Sequence, residues 1–382
     1  MMKKEMPIRV LQIGMTKNIG GLETYLMQQF DYLDKTKVTY DFVNITSEDE
    51  IVFKDKILQA GSHIYGVRSR HSNPIRHYWQ WIKLLHNIAG EYKAIVLNSN
   101  SITYVFPIFI ARFFGIPMRI MHSHNSGFEQ KIGLLKKILI AVNRQLLKWG
   151  ASDYFACSQL AGRWMFGNGV SFKVIPNAIE CNKFKFDASI RADVRKTLKV
   201  NGKFVIGHVG RFTYQKNHSF LIQIFREIHE RNAQAVLLLV GNAVGDKSYY
   251  EAAKNQVKQY NLEDCVQFLG MRNDVPSLMQ AMDCFVFPSR FEGLGIVGLE
   301  AQAAGLPSFL SDKIPQEVGV TNLAEFISIN KTPKQWSAII LKKIKERTNI
   351  NRESAANEVA DSGYDVREVA RRMQEYYLNA KD

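Results

Sequence analysis

The chain has 382 residues, of which 46% are hydrophobic and 23% charged, with a formal net charge of +14. That length supports two domains with separate cores and excludes a minimal scaffold that needs staples to fold. The four cysteines, Cys157, Cys181, Cys265 and Cys284, are widely spaced without a Cys-x-x-Cys pair, which argues against a zinc site or disulfide framework and for a reducing cytosol.

The segment before the first strand leads into only seven mostly apolar residues, 8–14, too short for a signal-peptide core. No window reaches the roughly eighteen consecutive apolar residues that a membrane span needs. The expectation is a cytoplasmic protein, attached at most peripherally to the inner face of the cell membrane. The positive charge calls for an anionic partner: nucleic acid, an anionic membrane or a phosphorylated small molecule. Zinc-finger spacing, a basic recognition helix and an RNA-binding aromatic signature are all missing, so nucleic acid is not the expected partner.

In chain order, strand-like runs fall at 8–13, 40–45, 94–97, 118–122, 154–157 and 173–175, then at 204–209, 235–240, 266–268, 284–287 and 308–310. Several are almost continuously apolar, as parallel strands covered on both faces are. Amphipathic helical patterns fill the gaps, for example 220–230 and 277–281. The predicted class is α/β, with two doubly wound parallel-sheet domains facing a central cleft. Residues 1–185 would form the first domain, on the acceptor side, and 186–364 the second, with the boundary placed near 180–202. A last helical segment, 365–382, could pack on either domain, including back on the first.

Asn18-Ile19-Gly20-Gly21-Leu22-Glu23 follows the first strand and precedes a helix. It is not a dinucleotide fingerprint, but Gly20 and Gly21 permit close backbone approach to a phosphate or sugar. Met121-His122-Ser123-His124-Asn125 ends another strand, where an imidazole can be a polar contact or handle a proton. The segment 131–149 follows. On a helical wheel Leu134, Leu135, Ile138, Val142, Leu146 and Trp149 share one face, with Lys136, Lys137, Arg144 and Lys148 opposite. Such a helix either packs its apolar face on its own domain or rests on an anionic membrane and receives a lipid-linked acceptor.

In the second half, Gly210-Arg211 ends a strand and Lys216 lies five residues after the arginine. A guanidinium fork and an ammonium at one strand end can hold a diphosphate and stabilise it as it leaves. After the apolar run 284–287, the stretch from Arg290 to Glu300 carries two acids, Glu292 and Glu300, around Gly293-Leu294-Gly295 and the start of a helix. Carboxylates accept from sugar hydroxyls, while glycines and helix amides suit a phosphate. There is no Asp-x-Asp, so phosphate neutralisation by cations and helix termini is expected, without a metal or other cofactor.

These motifs together resemble retaining glycosyltransferases of family 4, which have the GT-B architecture. The resemblance rests on Gly20-Gly21 with Glu23, on His122-Ser123-His124-Asn125, on Arg211 with Lys216, and on the Glu-x7-Glu spacing of Glu292 and Glu300. Val174-Ile175-Pro176-Asn177 resembles the family's Ile-Pro-Asn-Gly turn, except that Ala178 replaces the glycine. Around His122 the chain is most similar to bacterial exopolysaccharide and capsule enzymes.

The resemblance implies a nucleotide-sugar donor, with UDP favoured over GDP, and a saccharide or polyprenyl-diphosphate-linked acceptor. Arg211 and Lys216 would grip the diphosphate. Glu292 would hold the transferred sugar and Glu300 the ribose hydroxyls, with Gly293, Leu294 and Gly295 offering backbone amides. Gly20 and Gly21 would approach the donor from the other domain, and Asn273, Asp274 and Val275 would lie near the nucleobase. His124 would be the histidine at the transferred sugar, with His122 and Asn177 as alternates. A nucleotide-sugar epimerase and a catalytically silent partner protein are the rival readings. The first would need acids and bases around the sugar, and the second usually lacks a donor-site residue.

Overall fold

The computed structural model describes residues 6–17, 20–46, 51–128, 132–243, 246–347 and 351–380. Asn18 and Ile19 of the glycine loop and Lys131 of the basic segment lie outside these residues, as do 1–5 and 381–382. The chain divides into two compact units, one of Met1–Ala178 with Val366–Asp382 and one of Ile179–Asp365.

The first unit holds strands β1 (Ile8–Ile13), β2 (Val38–Asn44), β3 (Ile64–Gly66), β4 (Ala94–Ser99), β5 (Met118–Ser123), β6 (Asp153–Ala156) and β7 (Lys173–Val174). They form one sheet in the order β3-β2-β1-β4-β5-β6-β7, with parallel pairing throughout. Its helices are α1 (Gly21–Tyr32), α2 (Lys54–Gln59), α3 (Pro74–Ile88), α4 (Phe106–Phe113), α5 (Leu134–Gly150) and α6 (Gln159–Phe166).

The second unit holds β8 (Phe204–Val209), β9 (Ala235–Val240), β10 (Val266–Gly270), β11 (Cys284–Phe287), β12 (Ser308–Ser311) and β13 (Ala324–Ile327), in the order β10-β9-β8-β11-β12-β13, again parallel. Its helices are α7 (Cys181–Phe184), α8 (Ala188–Thr197), α9 (His218–His229), α10 (Ser248–Gln259), α11 (Val275–Ala281), α12 (Ile296–Ala303), α13 (Pro333–Glu346) and α14 (Ala355–Val359). The last helix, α15 (Val366–Asn379), belongs to the first unit, where Met373 and Tyr377 enter a core with Tyr40, Phe42 and Phe30. The second core is built around Phe225, Leu237, Leu239, Phe212 and Trp336.

Both units are therefore Rossmann-like α/β folds, as the alternation of runs predicts. In each sheet the strand order reverses beside the first strand, between β1 and β4 in one and between β8 and β11 in the other. Such a reversal leaves neighbouring loops diverging at the carboxyl ends of two adjacent strands, the place where an open α/β sheet receives ligands. Strands β3 and β13 were not expected. Both are short edge strands with mostly half-buried residues, so neither presents an apolar run. The charged stretch after Asn182 folds into α7 and α8, where Asp187 caps α8 at the amides of Ser189 and Ile190. Arg191 and Arg195 of α8 both reach Asp283, which also accepts from the Val205 amide. Among the described residues, no helix is long and apolar enough to cross a membrane.

Candidate active site

In the second unit, the loops after β8 and β11 leave the sheet side by side at its reversal point. They are joined directly: the Arg290 amide donates to the Gln215 carbonyl at 2.8 Å, and Asn217 Nδ2 donates to the Pro288 carbonyl at 3.1 Å. Arg290 in turn donates to Asn217 Oδ1 at 2.9 Å and stacks over Tyr214. Asn217 itself takes a left-handed backbone, φ 58°, at the start of α9. This conformation suits asparagine better than most other residues.

Lys216 and Glu292 meet within this clamp. Lys216 Nζ donates to Glu292 Oε1 at 2.7 Å, and Gln215 Nε2 donates to Oε2 at 3.0 Å, so both carboxylate oxygens are engaged. The pair is largely buried, with side-chain exposures of 16% and 7%. The Lys216 stem runs across Gly210, where a Cβ would meet it at 3.1–3.2 Å, and its ammonium sits 4.5 Å over the Phe287 ring. A Cβ at 210 would therefore require the Lys216 stem to shift by a few tenths of an ångström. Arg211, by contrast, is exposed at the same strand end.

Gly295 has φ +93°, a left-handed conformation that lets the chain turn from the buried Gly293-Leu294 into α12. The N-cap position of α12 is Gly295, which has no side chain to take up the first amides of the helix, while the Gly298 amide donates to the Gly295 carbonyl at 2.8 Å. Glu300 lies on α12 and is half-buried. Burial pushes its carboxyl up to about 7, against the opposing pull of Lys216. Two buried histidines adjoin the lysine. His208 donates from Nδ1 to the Val286 carbonyl at 2.9 Å, and burial lowers it to about 4, with Lys216 adding to the shift. His218 stacks on Phe212 and is likewise pushed well down, first by burial and then by His208 and Lys216. Both imidazoles stay neutral near pH 7.

Asn273, Asp274 and Val275 follow β10, the edge strand, two strands away from the reversal point. Asp274 is held by Arg272 through two bonds of 2.7 and 2.6 Å, which lower its carboxyl below the usual range, and Asn273 is exposed.

In the first unit the reversal point lies between β1 and β4. Thr16 donates to Glu23 Oε1 at 2.7 Å, and a Cβ on Gly20 would lie 2.9 Å from Glu23 Oε2. Glu23 thus folds back on the loop that Gly20 ends, while Gly21 opens α1 and is exposed. Asn98 at the end of β4 donates from Nδ2 to Gln12 Oε1 at 2.9 Å and to the Ile13 carbonyl at 3.1 Å. Its oxygen therefore accepts from His124 Nε2–H, 3.1 Å away. Nδ1 of His124 lies 3.1 Å from Asn177 Oδ1. Burial lowers His124 to about 3, so it is a neutral ring set between the Asn98 and Asn177 side-chain oxygens rather than an acid. His122 sits further back in β5 with its ring 4.0 Å from that of His124, and burial and this neighbour hold it well below its usual value.

The geometry brings Lys216, Glu292 and Glu300 together in one unit, and His124, Asn177 and the glycine loop around the other unit's reversal point. Gln215, Asn217, Arg290 and Asn98 were not singled out from the sequence. Their hydrogen bonds join segments 26 to 86 residues apart, which no local pattern records.

Residues 189–360 match the family described as glycosyl transferases group 1. The chain is 30% identical over 371 residues to a putative glycosyltransferase, EpsF, of Bacillus subtilis, covering 94% of each chain. It is 23% identical over 390 residues to the UDP-Gal:alpha-D-GlcNAc-diphosphoundecaprenol alpha-1,3-galactosyltransferase of Escherichia coli, covering 97% of each. Its fold is similar to that of Anabaena HepE, solved in complex with UDP and glucose, at a TM-score of 0.80 and 21% identity over 98% of this chain and 100% of that one.

Proposed function

From the premise that the chain belongs to the group 1 glycosyltransferase family, we propose a retaining, family 4 transferase that moves a hexose from a UDP-sugar to a polyprenyl-diphosphate-linked saccharide. The setting is the synthesis of an exopolysaccharide or capsule. The observation that carries this reading is the Lys216–Glu292 pair at the reversal point of the second sheet, with Glu300 on the helix that follows. The Escherichia coli relative, whose name specifies UDP-galactose and a diphosphoundecaprenol acceptor, supports the nucleotide and the lipid carrier.

In this reading Arg211 and Lys216 neutralise the diphosphate as it departs, and the amides around Gly293 to Gly295 contact sugar and phosphate. The acceptor hydroxyl attacks the face from which the nucleotide leaves, and the leaving phosphate oxygen takes the hydroxyl's proton. Glu292 is a fixed acceptor for sugar hydroxyls. With both oxygens held by Lys216 and Gln215, it is poorly placed to become a covalent nucleophile. His124 contributes a neutral polar contact, and no metal ion takes part.

The test is release of free nucleotide from a panel of UDP- and GDP-sugars, with and without a polyprenyl-diphosphate acceptor. Release from one donor, raised by acceptor, insensitive to a chelator and lost in Glu300→Ala, is expected. Sugar isomerisation without acceptor would replace this reading with an epimerase, and no turnover of any donor with a silent partner.

The carboxyl of Glu300 also sets a pH dependence. Its ionised form accepts from ribose hydroxyls, so donor binding strengthens as pH rises through about 7 and weakens below it, by up to about tenfold per unit. Titration calorimetry with the intact nucleotide-sugar checks this, because its diphosphate diester does not ionise in that range. Glu300→Gln should flatten the profile, and an unchanged slope would remove Glu300 from the donor site. For stability the sign is opposite: the raised carboxyl contributes fully below its ordinary value of 4.5, and the contribution is lost as pH rises towards 7.

A further inference from the structure

The helix α5 does not bury the stripe that its sequence offers. Ile140, Asn143, Leu147 and Gly150 face the unit, while Leu134, Leu135, Ile138 and Val142 are 72%, 83%, 51% and 50% exposed. Trp149 continues this stripe and packs against Phe109 and Phe113 of α4 at ring distances of 5.0 and 5.1 Å. Phe113 is itself 62% exposed. Across α4, Phe106 meets Tyr78 of α3 at 4.7 Å, and α3 turns outward Ile75, Trp79 and Ile82, at the i, i+4, i+7 spacing of one helix face. Ten of the nineteen large hydrophobic side chains exposed among the described residues lie on these three helices. Scattered exposed apolar residues are ordinary, but a concentration on three adjoining helices marks a contact surface.

Charge selects the occupant. The three helices expose Arg76, Lys83, Arg112, Lys136, Lys137 and Lys148, and carry not one aspartate or glutamate. A second copy docked by a two-fold axis would set these cations against themselves. An anionic bilayer meets both features, its headgroups taking the cations and its acyl boundary the apolar side chains, with Trp79 and Trp149 suited to the interface between them. We propose that α3, α4 and α5 together form the face by which the first unit seats on an anionic lipid bilayer, with α3 as necessary to it as the basic helix α5. The proposal draws its purpose, but not its geometry, from the reading of a lipid-linked acceptor.

The experiment is co-sedimentation of the full chain with vesicles of phosphatidylcholine alone or with phosphatidylglycerol, at low and high salt. Wild type should bind the anionic vesicles at least about tenfold more tightly than the neutral ones, with the difference falling as salt rises. The double variant Ile75→Ser/Trp79→Ser on α3 and the double variant Lys136→Gln/Lys137→Gln on α5 should each weaken binding about tenfold or more. Donor turnover with a water-soluble acceptor should be unchanged in both, which separates this proposal from the transferase reading. Retention of full binding by the α3 variant would overturn the three-helix face. So would equal affinity for neutral vesicles, or a concentration-dependent dimer that the same substitutions abolish.

Discussion

Replacing Lys216 by alanine is expected to lower kcat/KM about a thousandfold and to destabilise the chain by about 3 kcal/mol. The two losses have different causes. The rate falls because the ammonium no longer meets the charge that develops on the departing diphosphate, and kcat should carry most of it. Stability falls because Glu292, 7% exposed, loses the ammonium that donates to its Oε1 at 2.7 Å. A buried charge stripped of its partner costs more than the pair contributed. The double variant Lys216→Ala/Glu292→Gln separates the causes, since it removes the stranded charge without restoring the cation. Thermal unfolding should recover most of its midpoint in the double variant, while the rate stays low. If the rate recovers as well, Lys216 serves only to neutralise Glu292, and the diphosphate is held by Arg211 without it.

The sequence reveals most where one element writes its own signal. The apolar run 94–97 that opens β4, and the continuously apolar β9 and β11, could be read as covered parallel strands because nothing polar interrupts them. Gly210 and Gly241 directly follow the adjacent strands β8 and β9, and Gly270 closes β10 beside them. What depends on pairing was not legible. The reversal of strand order that sets the β8 and β11 loops beside each other is a property of the sheet, and Lys216 reaches Glu292 across 76 residues only because of it. The wheel of α5 shows an apolar stripe but not which side faces the core. The unit takes Asn143, which donates to the Ile102 carbonyl, and leaves Leu134 and Leu135 outside. For His124, the sequence offered a choice between proton handling and polar contact. Burial, which keeps the ring neutral, and Asn98, which is oriented by Gln12 and faces Nε2, decide it for the polar contact.

The substitution Gly241→Ala should destabilise the chain by about 3 kcal/mol or more although it adds a single methyl group. Gly241 follows β9 with φ +138°, and a Cβ there would lie 2.1 Å from the Gly210 carbonyl oxygen and 2.8 Å from its carbon. Both partners are backbone, so no side chain can swing aside. Gly241 is also pinned by its amide, which donates to the Gly270 carbonyl at 2.8 Å, while the Gly210 amide donates to the Val240 carbonyl at 2.9 Å. Relief therefore has to move Gly210, and with it Arg211 and the glycine across which Lys216 reaches Glu292. Structural and functional losses should appear together: a lower denaturant midpoint with an unchanged slope, and weaker donor binding in the fraction that stays folded. Gly61→Ala is the control, because that glycine also has positive φ, +78°, but nothing lies within 4 Å of the added carbon. It carries the backbone strain without the collision. Equal losses in the two variants would mean that strain alone sets the cost and that the β8 and β9 ends are not held in contact.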